Sequence, residues 1–119
     1  MLVFGKERKF RLTVGAAIEI ANLCPDKDLR KIGELLEKPF SEATDTIVKM
    51  IAAMSAGHES YMQYMDPGYA PTPLTEQEIM ILHAKQLAEL RKEALAAFSK
   101  DAVHDLDLDT SKKKEPEKA

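Results

Sequence analysis

The stretch Ser41–Gly57, SEATDTIVKMIAAMSAG, decides the fold class. Stepped at the helical angle of about 100° per residue, Ala43, Ile47, Met50, Ile51 and Met54 fall on one side and Glu42, Asp45, Thr46 and Lys49 on the other. Ser41 stands where an N-cap belongs, Phe40 just before it suits a hydrophobic staple, and Gly57 stands where a left-handed glycine ends a helix. An apolar stripe of that period must be buried against other elements, so this is the core-facing helix of a helical domain.

Upstream, Leu29, Ile32, Leu35 and Leu36 form a second stripe, with Asp26 placed to cap it, Glu34 and Lys38 one turn apart, and Pro39 closing it. Before that, Thr13 is placed to cap a short helix carrying Ala16, Ala17, Ile20 and Leu23, which Pro25 stops. At the start of the chain, Phe10, Leu12 and Val14 alternate with Lys9, Arg11 and Thr13, the period of a half-buried strand. Leu2 and Phe4 share the face of a preceding strand, with Gly5 in the turn, which gives an N-terminal β-hairpin. Lys6, Arg8, Lys9 and Arg11 make this the most basic part of the chain and read first as a solvated strand face guarding a sheet edge.

Downstream, the pattern breaks at HESYMQYMDPGYAPTPL, His58 to Leu74, rich in Tyr, Met and Pro. Such a stretch suits a recognition loop, because Tyr and Met offer large, adaptable contact area. The alternative is that Tyr61, Met62 and Met65 extend a short helix and cover the core. The next helix has the best-specified start in the chain: Thr75 as cap, Glu78 to complete a capping box, and Leu74 with Ile79 as a staple. Ile79, Met80, Leu87, Leu90, Ala94, Leu95 and Phe98 form its apolar face. Ile81 and Leu82 land on the polar side with Lys85, Gln86 and Glu89. Each would contribute about 1.5 to 3 kcal/mol if kept dry, so the reading requires a cover, from the Tyr/Pro loop or from another protein. From Asp101 the stripe is gone, and a charged, disordered tail is expected from about Asp105 to Ala119.

With 119 residues the chain makes one domain, residues 1–104, plus that tail. The fold class expected is mainly α, four to five helices with a short N-terminal β-hairpin. A net charge of −3 gives no global pull toward nucleic acid or anionic membrane. Cys24 is the single cysteine, so no internal disulfide forms, and a reducing cytoplasm is the expected setting. Catalytic spacing is missing. His58 and Glu59 are adjacent rather than a turn apart, His83 reads as a structural histidine, and Cys24 has no histidine near it in sequence. Asp105, Asp107 and Asp109 lack the glycine and closing glutamate of a calcium loop. Neither an enzymatic activity nor a metal or other cofactor is expected.

The succession LTVGAAIEIANL, LRKIGELLEK, EATDTIVKMIAAM and a long capped last helix with a charged tail resembles the tail assembly chaperones of long-tailed bacteriophages, over about residues 1 to 100. That resemblance implies a mainly helical, self-associating protein of the host bacterial cytoplasm, absent from the mature virion. It implies binding of the tape measure protein and its delivery to the tail tube protein, and it brings no catalytic residues. It also implies a longer product made by ribosomal frameshift, for which Lys112, Lys113 and Lys114 mark where an A-rich slippery run would lie; the gene sequence decides this, and the lack of a slippery heptamer there removes it. The partner-binding residues expected are Ile81 and Leu82 with Tyr61, Met62, Tyr64, Met65 and Tyr69. Three other readings compete. A small nucleic-acid-binding regulator would use Lys6, Arg8, Lys9 and Arg11 and would lose binding as salt rises. A generic helical adaptor would need none of the phage partners, and an enzyme would need His58, His83 and Cys24 to meet in one pocket.

Overall fold

Helix α3, Phe40–Met65, is the axis on which α1 (Val14–Ala21), α2 (Ile32–Leu36), α4 (Glu76–Met80) and α5 (Ala84–His104) all pack. The structure, a computed structural model, describes residues 1–104; the expectations for the tail, including Asp105, Asp107, Asp109 and Lys112–Lys114, lie outside the described residues. The fold is mainly α with a two-stranded antiparallel hairpin, β1 (Leu2–Val3) and β2 (Lys6–Glu7). Ile47, Met50, Ile51 and Met54 of α3 are buried as their spacing predicts, against Ile20, Leu74, Ile79, Leu90 and Phe98 from the surrounding elements. Thr46, expected outside, is buried and returns its hydroxyl to Glu42 O at 3.2 Å.

α3 does not stop at Gly57. It runs eight residues further, and Gly57 lies buried inside it. A Cβ at Gly57 would sit 2.7 Å from Arg11 O and 2.9 Å from Thr13 Oγ1. The glycine is there because the chain crosses α3 at that point, a close approach that only a residue without a side chain permits. The crossing segment, which its alternation predicts to be a strand, forms none, and Val14, expected on its apolar face, is exposed in the first turn of α1. Arg11 N donates to Met54 O at 3.2 Å and Leu12 N to Asp101 Oδ2 at 2.9 Å, so these two backbone donors are satisfied by α3 and α5 instead of a sheet partner.

The hairpin forms in the opposite register to the one expected. Phe4 and Gly5 both adopt positive φ, 52° and 74°, the two central positions of a tight hairpin turn, and Val3 pairs with Lys6. With Phe4 in the turn, Val3 points inward and is buried while Leu2 and Phe4 are exposed.

Two caps move as well. Asp26 lies in the left-handed region, φ 57°, and Asp28 is the residue that caps the next turn, accepting from Arg30 N at 3.0 Å. The second stripe is accordingly two single turns, Pro25–Lys27 and Leu29–Lys31, leading into the short α2. Phe40 is no staple: α3 begins at Phe40 itself with Pro39 as its cap, and the phenyl ring is 83% exposed. Thr13 caps α1 as expected, accepting from Ala16 N at 3.2 Å.

Candidate functional site

The capping box at the start of α4 is complete: Thr75 Oγ1 accepts from Glu78 N at 3.1 Å, and Glu78 Oε1 accepts from Thr75 N at 3.0 Å. Leu74 and Ile79 are both buried, as a staple requires. After one turn, however, the helix ends. Ile81 N and Leu82 N donate back three residues, to Glu78 O and Ile79 O, so the last turn tightens toward 3₁₀ geometry. Residues three apart then stack on one side, which turns Ile79 and Leu82 inward together. α5 starts anew at Ala84, with Gln86 Oε1 accepting from His83 N at 3.0 Å, the same cap-to-third-residue spacing as Thr75 and Glu78.

This break answers for the run Ile79-Met80-Ile81-Leu82. Ile79 is buried, Leu82 is half-buried against the core, and Met80 and Ile81 are 68% and 73% exposed. Met80 therefore leaves the apolar face on which a single unbroken helix would place it, and Leu82 is largely covered by its own chain. His83, read as projecting from an apolar face, is exposed at the cap.

The Tyr/Met segment does not join this corner. Tyr61, Met62, Tyr64 and Met65 lie in the extension of α3, but they do not cover the core: Tyr64 is 83% exposed, Met65 and Tyr61 are exposed, and of the four only Met62 is half-buried. Tyr61 and Tyr64 line a groove with Thr13, Val14 and Gly15 at the start of α1. Ile81 lies three residues before Ala84, which lines a cleft with Ala43, Thr44 and Ile47 near the other end of α3. From Ile47 to Tyr64 the axis of α3 advances about 25 Å at 1.5 Å per residue. Six of the seven expected partner-binding residues thus divide between the two ends of one long helix.

Tyr69 joins neither exposed group. Its hydroxyl donates to the Glu59 carboxylate, 2.9 and 3.0 Å from the two oxygens, and the Lys6 ammonium lies 4.9 Å from the centre of its ring. Glu59 is buried and also accepts from Lys6 Nζ at 2.6 Å and Thr72 N at 2.9 Å. Burial pushes the Glu59 carboxyl up, but Lys6, the Thr72 N–H and Tyr69 outweigh it and hold the group below its ordinary 4.5. Burial likewise works against the Lys6 ammonium, and Glu59 and Tyr69 outweigh that and raise it above 10.5.

The basic residues of the N-terminal arm are mostly engaged in the same region, which corrects their reading as a solvated strand face. Lys6 also bonds Thr72 Oγ1 at 2.6 Å. Arg8 is buried, with Nε donating to Val3 O at 3.3 Å and Nη1 to Thr72 O. The Arg11 guanidinium lies over the Tyr61 ring, 3.8 Å from its centre. Lys9 is the one of the four that is exposed. Sequence reasoning missed this lock because its partners are 53 to 66 residues away from Lys6 and Arg8.

The residues that an enzyme reading would need are dispersed among structural duties. Cys24 is buried, its Sγ donates to Ile20 O at 3.4 Å, and burial, with Asp28 and Glu34, pushes the thiol up. His58 is buried on α3, where burial first and Arg11 next lower its pKa below 6.5. Among the described residues no three His, Cys, Asp or Glu side chains gather to hold a metal ion, and no helix is long and apolar enough to cross a membrane. No family model, no curated protein and no solved structure matches this chain.

Proposed function

We propose that the protein is a non-enzymatic assembly chaperone that holds an apolar helical client, which the resemblance to tail assembly chaperones identifies as the tape measure protein on its way to the tail tube protein. The observation that carries this reading is the α4–α5 corner. Met80 and Ile81 stand out of the fold side by side, held there by a capped helix start on each side of the break. An exposed apolar feature on so well-specified a backbone is a contact surface in search of a partner. The host bacterial cytoplasm and a place outside the mature virion belong to the same proposal, as does self-association when the client is missing.

The test is co-expression with the tape measure protein. The wild-type chain is expected to keep that protein soluble and to co-purify with it, while Met80→Asp with Ile81→Asp loses both effects and keeps its far-UV helix signal. Leu82 is left intact because it packs on the core. Equal recovery of the tape measure protein with wild type and variant would overturn the reading.

A further inference from the structure

Next to the α4–α5 corner lies a cleft of about 300 Å³ between the first turns of α3 and α5. Phe40, Ala43, Thr44 and Ile47 line it from α3, and Ala84, Leu87, Ala88 and Arg91 from α5. Each set is spaced i, i+3, i+4, i+7, so each helix turns one continuous stripe toward the space between them. The small residues Ala43, Thr44, Ala84 and Ala88 keep that space open, and Phe40 is the exposed ring on its wall. Because Ala84 follows Ile81 by three residues, cleft and corner adjoin.

The charge in the cleft is one-sided. Arg91 is the only charged residue lining it, and among the described residues Arg91 takes part in no ion pair. We infer that this cleft binds a partner helix bearing paired apolar side chains for the groove and a carboxylate one turn beyond them for Arg91. Two stripes at helical spacing accept a third helix laid between them, the helix-in-groove mode. Arg91 fixes its register and sign, since a guanidinium favours a carboxylate as a two-pronged acceptor. A second copy of this chain is the poorer occupant. A two-fold contact sets the same surface against itself, and the lining has no carboxylate to meet the Arg91 of another copy.

The inference rests on the α4–α5 corner being the client surface and adds the chemistry of the client. Its test uses the full chain and a yeast-displayed library of roughly four-turn helical peptides with apolar and charged positions randomised. Selection on the wild-type chain is expected to enrich peptides with two apolar residues followed one turn later by Asp or Glu. Arg91→Glu should weaken those peptides roughly tenfold or more and reselect Lys or Arg at that position. Ala88→Trp, which fills the cleft from an exposed position, should abolish binding with the melting temperature unchanged. The inference is overturned by no enrichment, by enrichment without an acidic preference, or by peptides that bind Ala88→Trp as well as wild type. Enrichment of sequences matching residues 105–119 of this chain would overturn it in favour of the tail. A concentration-dependent rise in mass that Ala88→Trp removes would overturn it in favour of a second copy. Acid-bearing peptides that bind through the cleft while the tape measure protein does not co-purify would leave this inference standing and remove the phage reading alone.

Discussion

The two ends of α3 are built in opposite ways. Toward its C-terminus, buried Gly57 and Glu59 receive the crossing N-terminal segment, and the polar groups there are paired with one another. Toward its N-terminus, Phe40 is exposed, the adjoining cleft is open and the Met80–Ile81 corner is bare. One end, although Tyr64 and Met65 in its last turn are exposed, holds the chain together by long-range pairing. The other leaves apolar surface that contributes nothing to the fold in isolation. Substitutions at the two ends should therefore separate stability from binding.

The largest effect is expected at the crossing. Gly57→Val sets a branched side chain against Arg11 O, a backbone atom held by the neighbouring Arg11 N–H bond to α3 and unable to swing aside. Overpacking of this kind costs about 3 kcal/mol, read as a lower urea midpoint. A loss below ~0.5 kcal/mol, the usual range of surface substitutions, would show that the segment does not cross where the structure places it.

Glu59→Gln should come next. It keeps the shape but removes the charge that Lys6 meets at 2.6 Å and weakens the bonds from Tyr69 and Thr72, for a loss of about 2 kcal/mol. If the lock is real, adding Lys6→Met to Glu59→Gln should cost less than the two single losses together. Additive losses would dissolve it.

The same lock sets a pH signature. Glu59 has a folded-state pKa below its ordinary 4.5, so its contribution is present above about that pH and is lost as pH falls through the lower folded value. His58, lowered from 6.5 by burial, acts in the same direction but earlier: the unfolded chain takes its proton first, so stability starts to fall below 6.5. Lys6, raised above 10.5, keeps its contribution up to that pH and loses it beyond. Urea midpoints measured from pH 8 downward should therefore decline in two stages, and His58→Phe should remove the first stage only. A single stage in the wild type would refute the assignment.

How much of this was legible in the sequence follows from the range of each signal. Caps and helix faces act within four residues, so Thr13, the Thr75–Glu78 box and the stripe Ile47, Met50, Ile51, Met54 were readable. Gly57 was not, because a glycine that ends a helix and one that admits a crossing chain have the same local pattern; only Arg11, 46 positions away in sequence, distinguishes them. Lys6 and Arg8 read as solvated for the same reason. The break at Ile81 had a local signal in the second cap, His83 with Gln86, but a continuous stripe from Leu87 to Phe98 hid it. Of the site, the exposure of Ile81 agrees with its place on the polar side of the helical pattern, whereas Leu82, read onto the same side, is half-buried. The adjoining cleft did not, since it depends on α5 lying beside the first turns of α3.

The smallest stability effect belongs to Met80→Asp with Ile81→Asp. Both side chains already face solvent, and neither lies near the pairing at the far end of α3. Two polar substitutions at exposed positions change stability by no more than ~0.5 kcal/mol each. Asp at position 80, in the last turn of α4, adds an unfavourable charge near a helix C-terminus and is the costlier of the two. The wild-type chain should therefore be slightly the more stable by urea denaturation and much the better binder in co-expression. A loss near that of Gly57→Val would mean that the corner supports the fold after all, and the division between a locked end and an open end would fail.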